Sequence, residues 1–210
     1  MEIKTSRNKM YNEIIIAGFG GQGVLLSGVL IAQAAMELGL NTTWFPSYGA
    51  EMRGGTANST VVISDDEIGS PLAFKPNALI VLNELSLDKF IYKMSDEAVI
   101  IANSSIIPQR KEYKISPYFI PVSYIADKEI NNLKTANMVA LGALIKALET
   151  GSGYINGKQQ NYSEKSLTLD SVLSACEEVF ALKPQLIEVN KKALRAGYNF
   201  REYKNLRGVR

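Results

Sequence analysis

The chain has 210 residues, with 23 Lys and Arg, 21 Asp and Glu, no His and one Cys. Without His there is no Ser-His-Asp triad, no imidazole base and no His-ligated metal, and one thiol cannot hold an iron–sulfur cluster or form an internal disulfide. Because 46% of the residues are apolar and 21% are charged, the composition is that of a globular protein of about one domain. We therefore expect the chemical steps of any redox or hydrolytic reaction that this protein serves to take place outside this chain.

The charge is unevenly distributed along the chain. Residues 191–210 carry a net charge of +6, whereas the remaining 190 residues carry −4. Such a basic tail is suited to nucleic acid or to an acidic protein surface, but it contains no nucleic-acid recognition motif. A solvated or subunit-docking tail is therefore the preferred interpretation, and no nucleic-acid partner is expected.

The N-terminal residues and the apolar runs predict neither a secretory signal nor a membrane span. The first ten residues are polar and lack an apolar core. The longest mostly apolar run, residues 24–36, is shorter than the ~20 residues that a membrane-spanning helix needs. We expect a cytoplasmic protein that does not bind membranes.

The predicted elements begin with a strand, a glycine turn, a helix and a second strand. Residues 12–17 form a β-branched run typical of a buried parallel strand, and the helical pattern of residues 24–38 ends at Gly39. Residues 42–45 indicate the next strand. This order predicts a right-handed βαβ unit.

Four further strands and one helix are predicted in the middle of the chain. The strands cover residues 58–63, 78–82, 98–102 and 118–122, and the helix covers residues 85–93. Since Pro117 and Pro121 cannot donate backbone hydrogen bonds, we expect the last strand to lie at an edge of the sheet.

The C-terminal part is predicted to be helical. Helices are expected at 135–149, at 169–182 after an N-cap at Thr168, and at 186–196 with its end at Gly197. The polar stretch 151–165 reads as a mobile loop. The fold class predicted is α/β, a three-layer Rossmann-like domain with a mainly parallel sheet and a C-terminal helical extension. Its expected parts are the main domain (11–150), the loop (151–165), the C-terminal helices of the same domain (166–198) and a basic tail (199–210).

The glycine turn has the composition of a phosphate-binding loop. Gly18 and Gly20 permit a tight turn with close backbone approach, and Gly23 is expected to let the helix lie against the strand. The N-terminus of the helix would then offer free N–H groups to an anion. NAD recognition needs an acid at the end of the second strand, but Glu37 lies in the predicted helix and Trp44, Phe45 and Pro46 follow. These residues slightly favour a turn that binds an anion over a turn that binds nothing, and they disfavour a dinucleotide as the ligand.

A second polar segment, PSYGAEMRGGTAN at residues 46–58, follows the second predicted strand. In α/β proteins the ligand crevice lies at such strand ends. One interpretation is a surface loop with a weak Glu51–Arg53 ion pair. The other is a wall facing the glycine turn, with Arg53 as a bidentate donor to carboxylate or phosphate and Tyr48 and Trp44 as flat apolar surfaces. Together with the glycine turn, the segment favours the second interpretation.

Two long motifs in this order, GFGGQGVLLSG at residues 18–28 and PSYGAEMRGGTAN, carry a family resemblance. Together with the pair Leu82-Asn83, the NSS at 103–105 and NKKALRAGY at 190–198, they resemble the gamma subunit of 2-oxoacid:ferredoxin oxidoreductases, above all the 2-oxoglutarate type, with the branched-chain and pyruvate types nearby. The resemblance covers residues 11–198.

The resemblance implies a subunit of a complex rather than a self-sufficient enzyme. Such complexes decarboxylate a 2-oxoacid on thiamine diphosphate, pass electrons through iron–sulfur clusters to ferredoxin, and transfer the acyl group to coenzyme A. In that family thiamine diphosphate lies in the alpha and beta subunits, and the clusters lie in beta or in a ferredoxin-like delta subunit. The gamma subunit supports them and is implicated in coenzyme A binding.

The resemblance also implies a set of contact residues but no catalytic residue and no metal ligand in this chain. The glycine turn would lie near coenzyme A or a subunit contact, faced by the second segment; the residues are Gly18, Gly20, Gly21, Gln22, Gly23, Ser47, Tyr48, Glu51, Arg53, Gly54 and Gly55.

Two other hypotheses stay open from the sequence. One is a stand-alone NAD(P)-binding oxidoreductase, and the other is a purely structural interaction domain whose glycine turn binds nothing. The lone Cys176 is expected to be inert, because Glu177 and Glu178 beside it raise a thiol pKa.

Overall fold

A computed structural model describes residues 10–49, 56–109, 112–150 and 166–201. Within these ranges the chain forms six strands and six α-helices. They are β1 (Tyr11–Phe19), α1 (Val24–Glu37), β2 (Asn41–Tyr48), β3 (Thr56–Ser64), β4 (Ala78–Val81), α2 (Glu84–Phe90), β5 (Val99–Asn103), β6 (Tyr118–Ile120), α3 (Val122–Lys128), α4 (Ala136–Glu149), α5 (Leu169–Val179) and α6 (Ile187–Tyr198).

The strands form one sheet in the order β2-β3-β1-β4-β5-β6. β1, β4, β5 and β6 pair in parallel, whereas β3 lies between β1 and β2 and is antiparallel to both. The α/β class with a mainly parallel sheet is thereby confirmed. The predicted βαβ unit is present with a strand inserted into it, because the β2–β3 hairpin returns the chain between β2 and β1.

Helices cover the two faces of the sheet unequally. The larger core lies beneath α1, α3, α4, α5 and α6, and the smaller core lies beneath α2 and the segment after β5. Alternate residues of β1 pack on opposite faces of the sheet: Ile14 and Ile16 belong to the larger core, and Ile15 belongs to the smaller one. Both faces of the central strands are therefore buried, which explains their continuous apolar runs.

Close packing between α1 and the hairpin depends on Gly28. A Cβ at this position would lie 2.0 Å from Ser59 Oγ and 2.8 Å from Trp44 Nε1. The Trp44 indole donates to Ser59 Oγ at 2.8 Å in the same place. The glycine in the middle of α1 is thus a packing residue, since the close approach that it permits offsets its lower helix propensity relative to Ala.

Two sequence expectations about the last elements differ from the structure. The predicted strand 118–122 stops at Ile120, and α3, which the sequence analysis did not predict, begins after Pro121. The predicted end of the last helix at Gly197 is wrong, because α6 continues to Tyr198. Gly197 instead lies against α4, where an added Cβ would be 1.8 Å from the Val139 carbonyl oxygen.

Glu149 joins the ends of the three C-terminal helices. One carboxylate oxygen accepts the backbone N–H of Leu169 at the start of α5, at 2.7 Å, and the other accepts the hydroxyl of Tyr198 at the end of α6. The Lys146 ammonium lies 4.5 Å from the centre of the Tyr198 ring.

The predicted N-cap is confirmed, since Thr168 and Ser171 form a reciprocal capping box on α5.

The predicted loop 151–165 and the tail after residue 201 lie outside the described residues. None of the helices in the described ranges has the length and apolar character needed to cross a membrane.

The hydrogen bond to Glu149 raises the pKa of Tyr198 to about 12, with burial as a smaller cause. Because the folded pKa exceeds the ordinary value of about 10, this contact stabilises the fold fully below pH ~10 and less as the pH rises through ~12. Tyr198→Phe should therefore lower the free energy of unfolding by a constant amount, about 1 kcal/mol, at pH 7 to 9. The difference from the wild type should shrink between pH 10 and 12.

Urea unfolding of both proteins across this pH range measures the effect, and the other tyrosines cancel in the comparison. A difference that stays constant up to pH 12 would contradict the assigned contact.

Candidate functional site

The glycine turn after β1 is held closed by Gln22. The Gln22 backbone N–H donates to the Phe19 carbonyl oxygen at 3.1 Å, and its side-chain oxygen accepts the Phe19 N–H at 2.6 Å. The side-chain amide of Gln22, which the motif places in the turn, therefore hydrogen-bonds the neighbouring backbone N–H of Phe19. With its oxygen occupied in this way, Gln22 fixes the path of the chain from β1 into α1.

Two glycines of the turn are required for different reasons. Gly21 has a φ of +90°, a backbone conformation that residues with a Cβ rarely adopt. A Cβ at Gly18 would lie 2.6 Å from the Gln22 side-chain oxygen and 3.2 Å from Leu82 Cβ. The close approach predicted for the turn thus occurs at Gly18, where β1 and the end of β4 meet. No atom lies within 4 Å of a Cβ placed on Gly20.

Gly23 begins α1 and contacts α4. Its φ is +75°, and an added Cβ would lie 2.5 Å from Asn137 Nδ2. The sequence expectation that Gly23 lets the helix lie against the strand is wrong, since the close neighbour is a side chain from the opposite half of the chain. Gly23 also has no side chain to cap the helix, and the first turn of α1 carries no acid. The free N–H groups there suit an anion.

Asn137, at the start of α4, ties the turn to the rest of the domain. Its Nδ2 donates to the Gly23 carbonyl oxygen at 3.1 Å and to Ser27 Oγ at 3.0 Å. The Ser27 hydroxyl donates to the same carbonyl at 3.3 Å. Asn137 and Ser27 are both buried, so these bonds are shielded from water. The sequence analysis missed this tether; a polar residue on an otherwise apolar helix face was its one signal.

The turn lies where the sheet changes winding direction. β1 and β4 are parallel neighbours, but α1, which follows β1, packs on the larger core, whereas α2, which follows β4, packs on the smaller core. The two connections leave the sheet on opposite sides and open a crevice between the strand ends. Ligands of α/β proteins bind in such a crevice.

The described part of the second segment lies at the same edge of the sheet. Ser47 pairs with Asn58, which pairs with Ala17 of β1, so Ser47 lies two strands, about 10 Å, from the start of the turn. Tyr48 ends β2 and is 68% exposed. Glu51, Arg53, Gly54 and Gly55 lie outside the described residues, so the facing wall remains a prediction.

Cys176 lies in the core on α5, away from this edge. Burial is the main cause that raises the pKa of its thiol to about 11, with Glu177 a smaller cause and Lys191 opposing. The sequence analysis assigned the shift to the acidic neighbours, whereas desolvation dominates it. A thiol with this pKa carries little thiolate at neutral pH, in agreement with an inert residue.

Comparison with known proteins identifies the family. The family model for pyruvate ferredoxin/flavodoxin oxidoreductase matches residues 13–200. The ketoisovalerate oxidoreductase subunit VorA of Methanothermobacter marburgensis is 35% identical over 92% of this chain. The 2-oxoglutarate synthase subunit KorC of Methanocaldococcus jannaschii is 36% identical over 82% of this chain and 89% of its own length. The chain spans 37% of the length of the VorA protein.

Solved structures share the fold. The gamma subunit of a keto/oxoacid ferredoxin oxidoreductase from Geobacter sulfurreducens matches with a TM-score of 0.68 and 26% identity, covering 89% of this chain and 96% of that one. A 2-oxoglutarate:ferredoxin oxidoreductase from Magnetococcus marinus, solved with 2-oxoglutarate, coenzyme A and succinyl-CoA bound, matches with a TM-score of 0.70 and 25% identity. This match covers 89% of the present chain and 30% of the Magnetococcus chain.

Asn137→Ala should destabilise the protein by about 2–3 kcal/mol, because it removes two buried hydrogen bonds and leaves the Gly23 carbonyl and the Ser27 hydroxyl with fewer partners. Urea unfolding of Asn137→Ala, Ser27→Ala and the double variant measures the coupling between the two side chains, expected at about 0.5–1 kcal/mol.

Ser174→Ala, on the exposed side of α5, is the control and should change stability by less than about 0.5 kcal/mol. The tether would be refuted if Asn137→Ala were as mild as this control.

Proposed function

The chain belongs to the pyruvate ferredoxin/flavodoxin oxidoreductase family, and from this premise we propose that it is the gamma subunit of a 2-oxoacid:ferredoxin oxidoreductase. The observation that carries the proposal is the match over residues 13–200, which takes in the glycine turn, the crevice and the C-terminal helices. In this proposal the subunit supports the complex and helps to bind coenzyme A, and larger alpha and beta chains perform the reaction.

A contact with coenzyme A is supported by the donors at the crevice. The first turn of α1 has free N–H groups without a capping side chain, and two rigid hydrogen bonds through Gln22 fix the turn that precedes it. Coenzyme A is rich in phosphate and carbonyl oxygens, which accept hydrogen bonds. A preformed set of backbone donors binds such oxygens with little ordering cost.

The residue composition of the chain supports the proposal that other subunits of the complex hold the cofactors. The chain has no His, and its single Cys is buried with a raised pKa. An iron–sulfur cluster needs about four thiolates. We therefore assign thiamine diphosphate with its Mg²⁺, and the iron–sulfur clusters, to partner subunits: alpha, beta and a ferredoxin-like delta chain, with ferredoxin as the acceptor. The complex is proposed to act in the cytoplasm.

We assign 2-oxoglutarate as the substrate, in agreement with the motif resemblance and with four KorC relatives at 32–36% identity. VorA relatives reach 35–36%, which makes 2-oxoisovalerate the rival substrate. Values of kcat/KM for the two oxoacids and pyruvate, measured on the purified complex, decide the assignment. Because another chain supplies the oxoacid pocket in this proposal, a preference for 2-oxoisovalerate would change the substrate and leave the subunit role intact.

The two rival functions make different demands on the site. A stand-alone NAD-dependent enzyme needs an acid at the end of the second strand, but β2 ends in Ser47 and Tyr48, and Glu37 lies in α1, where it accepts a hydrogen bond from Gln33. A purely structural domain would not depend on the turn for coenzyme A. Titration with NADH and NADPH tests the first rival, and the substitution below tests the second.

Gly21→Ala should raise the KM for coenzyme A about tenfold in the complex, while the KM for the 2-oxoacid changes less than twofold. The added Cβ occupies open space, so the effect comes from backbone strain at a φ of +90° that turns the donors away from the ligand. Steady-state kinetics with each substrate varied in turn, using ferredoxin or a viologen dye as acceptor, provides the measurement.

Gly69→Ala is the matched control, because its added Cβ also meets nothing within 4 Å and it lies in a surface turn far from the crevice along the sheet. Equal KM values for coenzyme A in both variants and the wild type would favour the purely structural alternative.

A further inference from the structure

Asn83 differs from three other buried asparagines in the hydrogen bonding of its side-chain amide. Asn103, Asn137 and Asn190 are buried, and each donates a hydrogen bond from Nδ2: Asn103 to Ser123 Oγ at 2.8 Å, Asn137 to Gly23 and Ser27, and Asn190 to the Leu186 carbonyl at 2.8 Å. Asn83 is 1% exposed, yet its Nδ2 has no hydrogen-bond partner among the described residues. The hydroxyl of Ser86, three residues later, is also buried without a partner there.

The orientation of the Asn83 amide is settled by its other atom. Asn83 is the N-cap of α2, and its Oδ1 accepts the backbone N–H of Ser86 at 2.8 Å. An NH₂ group cannot accept this hydrogen bond, so turning the amide over would lose the cap. The free group is therefore a donor, and a ligand for it must offer an acceptor.

Asn83 lies at the edge of the sheet where the glycine turn begins. Asn83 follows Leu82, whose backbone N–H donates to the Ala17 carbonyl of β1 at 2.9 Å. Leu82 Cβ lies 3.2 Å from the site of a Cβ on Gly18. Asn83 thus stands at the carboxyl end of β4, beside the first residue of the glycine turn. At this point α1 and α2 leave the sheet on opposite faces.

A buried donor without an acceptor costs free energy, so folded proteins keep few of them. Asn83 could cap α2 equally well as Ser, which has no second donor. The Nδ2 donor of Asn83 is thus not needed to cap α2. Positions that break a local rule in this way are typical of binding sites.

We propose that Asn83 Nδ2 donates a hydrogen bond to an oxygen of coenzyme A, and that Asn83 is a specificity residue of the crevice together with the glycine turn. The inference rests on the proposed function and adds to it a side-chain contact from β4, on the side of the crevice opposite the start of α1. No charge is involved, so the contact selects for an acceptor oxygen at a defined point.

The test compares Asn83→Ser with Asn103→Ser in the purified complex. Both asparagines stand at the ends of parallel neighbouring strands and both are 1% exposed, but only the Asn103 amide has a protein acceptor in the described structure. Asn83→Ser should raise the KM for coenzyme A about tenfold, the factor for the loss of one hydrogen bond, and leave the urea midpoint unchanged. Asn103→Ser should lower the midpoint and leave the KM for coenzyme A within twofold.

Asn83→Asp is the second variant, because it retains the shape and the cap and replaces the donor with a carboxylate. It should weaken coenzyme A binding more than Asn83→Ser does. The inference is overturned if both Asn83 variants leave this KM unchanged, or if Asn83→Ser lowers the midpoint as much as Asn103→Ser. Gly21→Ala separates the proposed coenzyme A site from the Asn83 contact within it. If Gly21→Ala raises the KM for coenzyme A and the Asn83 variants do not, the Asn83 contact alone is refuted. If no variant changes this KM, the coenzyme A site itself is refuted.

Discussion

The hydrogen bonds from Asn137 to Gly23 and Ser27 are the constraint on which the rest of the site depends. They join the start of α4 to the start of α1 across 114 residues of sequence. Because Gly23 has a positive φ and leaves no room for a Cβ beside Asn137, the close contact between the start of α1 and α4 requires glycine at this position. Gln22 closes the same turn from the other side. The free N–H groups of α1 are consequently held in place before any ligand arrives.

Among the described residues, the proposed site offers neutral donors at a change of winding in the sheet. Backbone N–H groups, the glycine turn and the Asn83 amide offer hydrogen bonds, and the turn brings no titrating side chain to the reacting atoms. Such an arrangement binds oxygen-rich groups and orients them, but it does not move protons or electrons. This agrees with the proposal that the chain contributes binding and support to a complex in which other chains carry out the reaction.

Most of the fold follows from the sequence because it depends on local patterns. The β-branched runs predict β1, β4 and β5, and Thr168 predicts the start of α5. The features that were missed depend on tertiary contacts. The strand predicted at 58–63 is present as β3, but its place between β1 and β2 comes from hairpin pairing, and Gly197 packs against α4 rather than ending its own helix. For the site, the glycine motif and strand ends could be found from sequence. The tether through Asn137 and the Asn83 amide, whose Nδ2 has no partner among the described residues, could not, because both depend on tertiary contacts far away in the sequence.

The central claim is that this chain binds and supports while other chains break bonds and carry electrons. Its most direct measurement is an assay of 2-oxoacid oxidation, with coenzyme A and a ferredoxin or viologen acceptor, on the purified chain alone, on its partner chains alone, and on the recombined complex. The account predicts no turnover by the chain alone, and coenzyme A-dependent turnover that is full only in the recombined complex. Oxidation of a 2-oxoacid by the isolated chain, or full coenzyme A-dependent activity without it, would contradict the account.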